Sequence, residues 1–247
     1  MSDQIEGRRP VLEALKAGRT ITELFVASGA HTSGALAEIV TVAERRSIPV
    51  RLIPRKELES RSSTRNPQGV IALAASFRYA SLDDLLARAA SSGEPGLFVA
   101  LDGITDPQNL GALARSAEAA GAHGLIVPER RAAGVTAAAE KAAAGALEHV
   151  PVAQVTNLSR ALEELKKSNV WIVALDAGPQ ATSIHDLELA TDAVCLVVGG
   201  EESGVSRLVR EHADVVAHIP MVGQIASLNA SAAGAVALFE IRRRRSL

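Results

Sequence analysis

Aromatic side chains are scarce in this sequence: one Trp, one Tyr and four Phe, 2% of 247 residues. That excludes the stacking platforms on which single-strand binders lay successive bases, so any contact with nucleic acid is expected to run through phosphates. The lone cysteine, Cys195 in the apolar run AVCLVV, excludes an internal disulfide framework and any multi-cysteine metal site. It reads as a small core residue. The six histidines show no ligand spacing, and no metal is expected. No apolar run reaches the roughly 18 residues of a membrane span. The opening MSDQIEGRRP carries acids and arginines where a signal peptide needs an apolar stretch. A cytoplasmic protein is expected.

What is present suits a globular chain. Apolar residues make up 47%, ample for a packed core. The net charge of −2 hides an asymmetry: residues 1 to 80 carry 12 Lys and Arg against 8 Asp and Glu, whereas the remainder carries 14 against 20. Arg45, Arg46, Arg51, Arg55, Lys56, Arg61, Arg65 and Arg78 crowd into 34 positions. A basic piece beside an acidic one points either to a polyanionic partner or to a solvated face.

Up to residue 75, the helical spacing of VLEALKAG and the short runs ELFVA, IPVRLI and GVIALAA predict a small α/β unit. Residues 76 to 96 hold an amphipathic helical pattern and then a Ser/Gly/Pro stretch, which reads as a linker. The boundaries are set at 1–76, 77–96 and 97–247. Beyond the linker, LFVAL, GLIVP, VPVAQV, VWIVALD, AVCLVVGG and VVAHIP alternate with helical patterns, predicting a largely parallel sheet covered on both faces. The alanine-rich residues 132 to 146 predict one tightly packed helix.

Three strand-end segments look chemical. In LDGITDPQNLGALARSAEAAG, Asp106-Pro107 and Gly121 punctuate a helix, but Asn109 and Arg115 are left over. Six residues apart on a helix they lie about 240° apart, so they share a site only if Asn109 belongs to the loop. CLVVGGEESGVS comes close to a P-loop, yet Val205 stands where the lysine belongs, and Glu201 and Glu202 would repel phosphate. Gly199 and Gly200 either admit a ligand to the backbone or merely make a tight turn. In IPMVGQIASLNASAAGAVALFEIRRRR, Ser227 could cap a helix, but Ala230 denies it a capping-box partner, and capping explains one polar residue where three stand: Ser227, Asn229 and Ser231. Arg242 to Arg245 read either as a frayed solvated tail or as an RNA contact.

In order and at these separations, N-L-G-A-L-A-R at 109–115, V-V-G-G-E-E-S-G-V at 197–205 and I-P-M-V-G-Q-I-A-S-L-N-A-S at 219–231 resemble the three signature motifs of the SpoU (TrmH) family of RNA 2'-O-ribose methyltransferases of the SPOUT class. E-G-R-R-P-V-L-E-A-L near the start and N-P-Q-G-V-I-A at 66–72 resemble its RlmB-like branch, with Asn66-Pro67 where that branch has histidine. The resemblance implies an α/β fold with a deep trefoil knot, preceded by a small L30e-like RNA-binding domain, and a homodimer. Ordinary chain topology would have predicted an unknotted Rossmann-like sheet, against which the missing G-x-G-x-x-G after the first strand is the one independent hint. It implies S-adenosylmethionine as cofactor, held by Gly199, Gly200, Ile219, Met221 and Leu228, and a catalytic and substrate set of Asn109, Arg115, Glu201, Ser227 and Asn229. The implied partner is RNA, a guanosine of 23S ribosomal RNA, with neither DNA nor membrane involved. A tRNA ribose methyltransferase and a catalytically silent RNA-binding protein remain alternatives.

Overall fold

The computed structural model describes residues 2–30, 34–64, 66–178, 181–201, 203–224 and 227–246. Arg65 of the basic segment, Glu202 of the second motif and Ile225-Ala226 of the third lie outside them.

The chain builds two sheets. The first contains β1 (Ser2–Glu6), β2 (Ile21–Ala27), β3 (Val50–Ile53) and β4 (Val70–Ala75) in the order β1-β4-β2-β3. β4 runs antiparallel to both neighbours, and β2 and β3 are parallel. Helices α1 (Arg8–Lys16), α2 (Ala35–Arg45) and α3 (Arg55–Arg61) connect the strands. Leu15, Leu24, Leu36 and Ile39 are fully buried between α1, α2 and the sheet. β1 was not anticipated, because SDQIE carries a single apolar residue. Its last residue, Glu6, is buried and accepts hydrogen bonds from Ser62, Ser63 and Thr64, which accounts for an acid inside the fold.

The linker region contains α4 (Leu82–Ser92), started by a capping box between Ser81 and Asp84 and stopped by left-handed Gly93. It inserts Leu82, Leu85 and Ala89 under the second sheet. That sheet comprises β5 (Leu97–Asp102), β6 (Gly124–Pro128), β7 (Val152–Val155), β8 (Trp171–Leu175), β9 (Thr182–Ser183), β10 (Val194–Gly199) and β11 (Val215–His218). Its order is β7-β6-β5-β10-β8-β11-β9, and every pairing is parallel. Alternate residues of β5 face opposite layers: Leu97, Val99 and Leu101 toward α5 (Pro107–Ala119), α6 (Ala137–Ala143) and α9 (Ala230–Arg245), and Phe98 and Ala100 toward α4, α7 (Leu158–Lys167) and α8 (Arg207–His212). Cys195 is buried in the second layer, and burial pushes its thiol pKa up.

The alanine-rich segment corrects the expectation of one helix over 132–146. α6 spans 137–143 only, because Thr136 caps its start, while Ala144 and Gly145 turn left-handed at its end. Two glycines set how closely the helices around the site approach. A Cβ on Gly111 of α5 would come within 2.3 Å of the Ala139 carbonyl, and one on Gly234 of α9 within 2.3 Å of Leu113. Both contacts demand hydrogen in place of a side chain.

The two sheets are joined by a buried polar cluster. Arg19, after α1, reaches Glu140 on α6, Glu148 at 3.1 Å and Asp3 at 3.4 Å. Lys141 donates to Thr64 at 2.9 Å and also to the Asn66 carbonyl. One guanidinium serves three carboxylates here; burial, with Glu148 and Asp3 nearby, raises the Glu140 pKa to about 7.

Candidate active site

The carboxyl ends of β5, β8 and β10 open onto one side of the large sheet, where ligands of parallel α/β folds collect. A cleft there is lined by Gly199, Gly200 and Glu201 after β10, by Ile219 and Met221 after β11, and by Ser227 and Leu228 before α9. Its apolar walls include Leu175, Val198 and Ala233. A second hollow shares Gly200, Glu201 and Ala230 with it and continues past Gly103, Thr105 and Asn109.

The glycine pair makes a tight turn, and the reason is contact between backbones. A Cβ on Gly199 would lie 2.2 Å from the Gly204 carbonyl carbon, and one on Gly200 2.5 Å from the Gly103 oxygen. Gly200 donates its N–H to Asp102 O at 2.9 Å and accepts from the Gly204 N–H at 2.9 Å. The turn is thereby locked against the end of β5, with Glu201 projecting from it. Glu201 stands in this turn and not in a helix, since α8 begins at Arg207.

Asn109 lies within the first turn of α5, not in the preceding loop, because Asp106 caps the helix through the Gln108 N–H and Pro107 starts it. Buried there, it donates to Glu201 Oε1 at 3.2 Å and accepts from Asn229 Nδ2 at 2.9 Å. Asn229 also donates to Glu201. Its carboxamide oxygen accepts from the N–H groups of Ser231 and Ala232 at 3.0 and 3.2 Å. Asn229 is therefore the N-cap of α9, a role that Ser227 does not take. Ser231 bonds back to the Asn229 oxygen at 2.6 Å. Of the three polar residues in that motif, two organise the helix start. Ser227 lines the cleft, and its hydroxyl has no partner among the described residues.

Arg115 is not brought to this cluster. It lies six residues beyond Asn109 on the same helix, is exposed, lines neither hollow, and has no partner among the described residues. Conversely, Asp176 went unassigned in the sequence. It follows β8 into the cleft, accepts from the Ala177 N–H at 2.8 Å and pairs with Arg210. Its signal was an acid ending the apolar run VWIVALD. The terminal arginines are not a frayed tail but the last turn of α9. Arg242 pairs with Glu94 at 2.6 Å, Arg243 and Arg244 hold Glu240, and Arg245 donates to the carbonyls of Pro95, Gly96, Ala190 and Asp192.

This arrangement has relatives. Residues 96–239 match the SpoU rRNA Methylase family, and residues 4–80 match the RNA 2'-O ribose methyltransferase substrate binding family. The chain is 39% identical over 244 residues to YacO of Bacillus subtilis, a protein assigned to the TrmH family of tRNA/rRNA methyltransferases, covering 99% of this chain and 96% of that one. It is 46% identical to an uncharacterized tRNA/rRNA methyltransferase of Mycobacterium ulcerans, covering 99% of this chain and 78% of the relative. Among solved structures it is similar to the SpoU methyltransferase AviRb of Streptomyces viridochromogenes in complex with AdoMet, with TM-score 0.82 and 25% identity over 99% of this chain and 91% of that one. With its parallel sheet and matches across both halves, the chain belongs to the SpoU rRNA methylase family.

Proposed function

We propose that the protein is an S-adenosylmethionine-dependent RNA 2'-O-ribose methyltransferase whose target is a guanosine of 23S ribosomal RNA, working in the cytoplasm as a homodimer. The observation that carries this reading is the junction of Asn109, Glu201 and Asn229 at the wall shared by two adjoining hollows. One hollow has the character of a cofactor cleft: apolar walls at Ile219, Met221 and Leu228, main-chain groups at Gly199 and Gly200, and two acids, Asp176 and Glu201, at its rim. The other offers polar side chains where a ribose would sit.

When bound, the cofactor supplies a methyl group already activated on a sulfonium. The protein's own task is then chiefly to position, worth up to roughly 7–11 kcal/mol in favourable intramolecular cases. Asn109 and Asn229 hold the Glu201 carboxylate at the shared wall, and Ser227 offers a hydroxyl to the ribose from the cleft side. A guanidinium is a poor general base, so the role of Arg115 is to pair with the adjacent phosphate and stabilise developing alkoxide character. Because its own helix carries it away from Asn109, that role requires a second protomer to bring the guanidinium in. An apolar stripe at helical spacing supports such a dimer: Ala232, Val236 and Phe239 share a face of α9 and are exposed, Phe239 at 51%. The deep trefoil knot belongs to the same reading, supported by the packing of Ala230 beside the Gly200 turn and of α9 against α5.

Transfer of tritiated methyl from S-adenosylmethionine to ribosomal RNA and, separately, to tRNA from a strain lacking the protein tests this. One labelled 2'-O-methylguanosine in 23S RNA is the expected result. Label in tRNA alone would overturn the substrate; no label with no cofactor binding would leave a silent RNA-binding protein.

A further inference from the structure

Two N-terminal motifs, E-G-R-R-P and N-P-Q-G-V, are left unused by the methyl-transfer site. The fold brings them together. Arg8 donates its Nε to the Gln68 carbonyl at 3.1 Å and its backbone N–H to Gln68 Oε1 at 3.1 Å. Gln68 is held in the left-handed region at φ 55°, a conformation that a non-glycine residue keeps only where the surroundings impose it. The Asn66 side chain fixes it further by accepting the Gln68 N–H at 3.1 Å. The result is a guanidinium tied at one edge, whose two Nη groups have no partner among the described residues.

That guanidinium lines a cavity of about 470 Å³ together with Arg55, Gln68, Gly69 and the small residues 27–30. No acid is among the lining residues. Arg55 is 81% exposed and among the described residues pairs with Glu59, one turn on, an ion pair weak enough to yield to a stronger anion. The volume exceeds what a lone phosphate fills and falls in the roughly 300–1,000 Å³ range of small-ligand sites. One tied guanidinium, Arg8, and one exposed arginine, Arg55, over a floor of small residues suit a phosphate with a sugar and base attached, and RNA is read chiefly in single-stranded segments whose bases splay out.

We propose that this cavity holds one nucleotide of a single-stranded segment of the RNA substrate, with Arg8 gripping its phosphate and residues 28–30 receiving its sugar and base. The inference rests on the reading of the protein as an RNA-modifying enzyme, and it assigns Arg8 and Gln68 the anchoring of substrate at a distance from the chemistry.

The test uses the full chain and 23S ribosomal RNA from a strain lacking it as the probe, with Kd measured by filter binding across a salt series. Arg8→Ala is expected to raise Kd about tenfold and to flatten the salt dependence by about one phosphate contact, a slope change of roughly 0.7–0.9. Arg8→Lys should restore the slope and only part of the affinity, since lysine lacks the fork. Ser28→Trp, at an exposed position, should raise Kd without altering charge. Arg160→Ala on α7 should bind as wild type, and calorimetric S-adenosylmethionine affinity should be unchanged throughout. If Arg8→Ala fails to fold, Ser28→Trp decides. Wild-type RNA affinity in Ser28→Trp, or in a folded Arg8→Ala, would overturn the cavity while leaving the enzyme reading intact; failure of the wild-type protein to bind RNA at all would overturn both.

Discussion

Asn229 Nδ2 donates to Asn109 Oδ1 at 2.9 Å, joining the first turns of two helices whose partners stand 120 positions apart. The carboxamide oxygen of the same Asn229 caps α9. Helix start and site wall are thus one side chain.

Replacing it should therefore be felt twice. Asn229→Ala is expected to lose about 1 kcal/mol of stability as a lost cap, within a range of 0.5–2. Methyl transfer should fall far more than that stability loss would cause, because Glu201 loses a donor. Asn229→Asp keeps the cap acceptor but faces Glu201 with a second carboxylate, so its stability should stay nearer wild type while methylation still falls. Denaturant melts alongside label incorporation separate the two effects; full activity in Asn229→Asp would remove the carboxamide from the proposed mechanism.

For Arg115 the prediction concerns which chain it serves. Arg115→Ala and Asn229→Ala homodimers should each be inactive. Mixed dimers of the two should regain one working site, since the Arg115→Ala chain keeps Asn229 and borrows its partner's arginine. No recovery in verified mixed dimers would mean that the arginine acts within its own chain or not at all.

Glu140 gives a pH dependence. Its folded pKa of about 7 lies above the unfolded value near 4.5, so folding takes up a proton between the two. Stability from this group is therefore full below about pH 4.5 and is lost as pH rises through about 7. Glu140→Gln removes the titration at constant shape, and its Tm relative to wild type should climb between pH 5 and pH 8. A wild-type protein that gains on the glutamine variant over that interval would show the carboxylate to be satisfied by Arg19 as an ion.

Arg245 makes four hydrogen bonds to backbone carbonyls, and burial holds its pKa below the usual arginine range. Arg245→Ala should cost about 3 kcal/mol, given roughly 1.5–3 for one charged hydrogen bond and incomplete additivity, a Tm loss of about 6–12 °C. RNA affinity measured below the transition should not change. A folded variant with weakened RNA binding would return the arginine to the nucleic-acid surface.

The parallel sheet was legible because each buried strand is a short apolar run, from LFVAL to VVAHIP, and a strand covered on both faces leaves no other pattern to read. The cleft was legible through motif resemblance, which set Gly199, Ile219 and Ser227 beside one another before any coordinates did. What escaped were features decided by tertiary contact. β1 has one apolar residue and is held by pairing with β4. Whether Asn109 belonged to the loop stayed open, because nothing local shows that a buried helical asparagine can bond across to Glu201 and Asn229. Arg244 and Arg245 look solvated in a run of four arginines until the carbonyls they reach are known.

Arg245 also orders events during synthesis. The carbonyls of Pro95 and Gly96, at the mouth of β5, are met by a side chain about 150 positions later. β10, the strand beside β5, is itself added only at residues 194–199. On a ribosome that emits the chain from its N-terminus, the basic four-stranded unit can close while β5 still lacks β10, the central strand of the larger sheet. The part of the protein that would grip RNA is then finished before the part that would modify it exists.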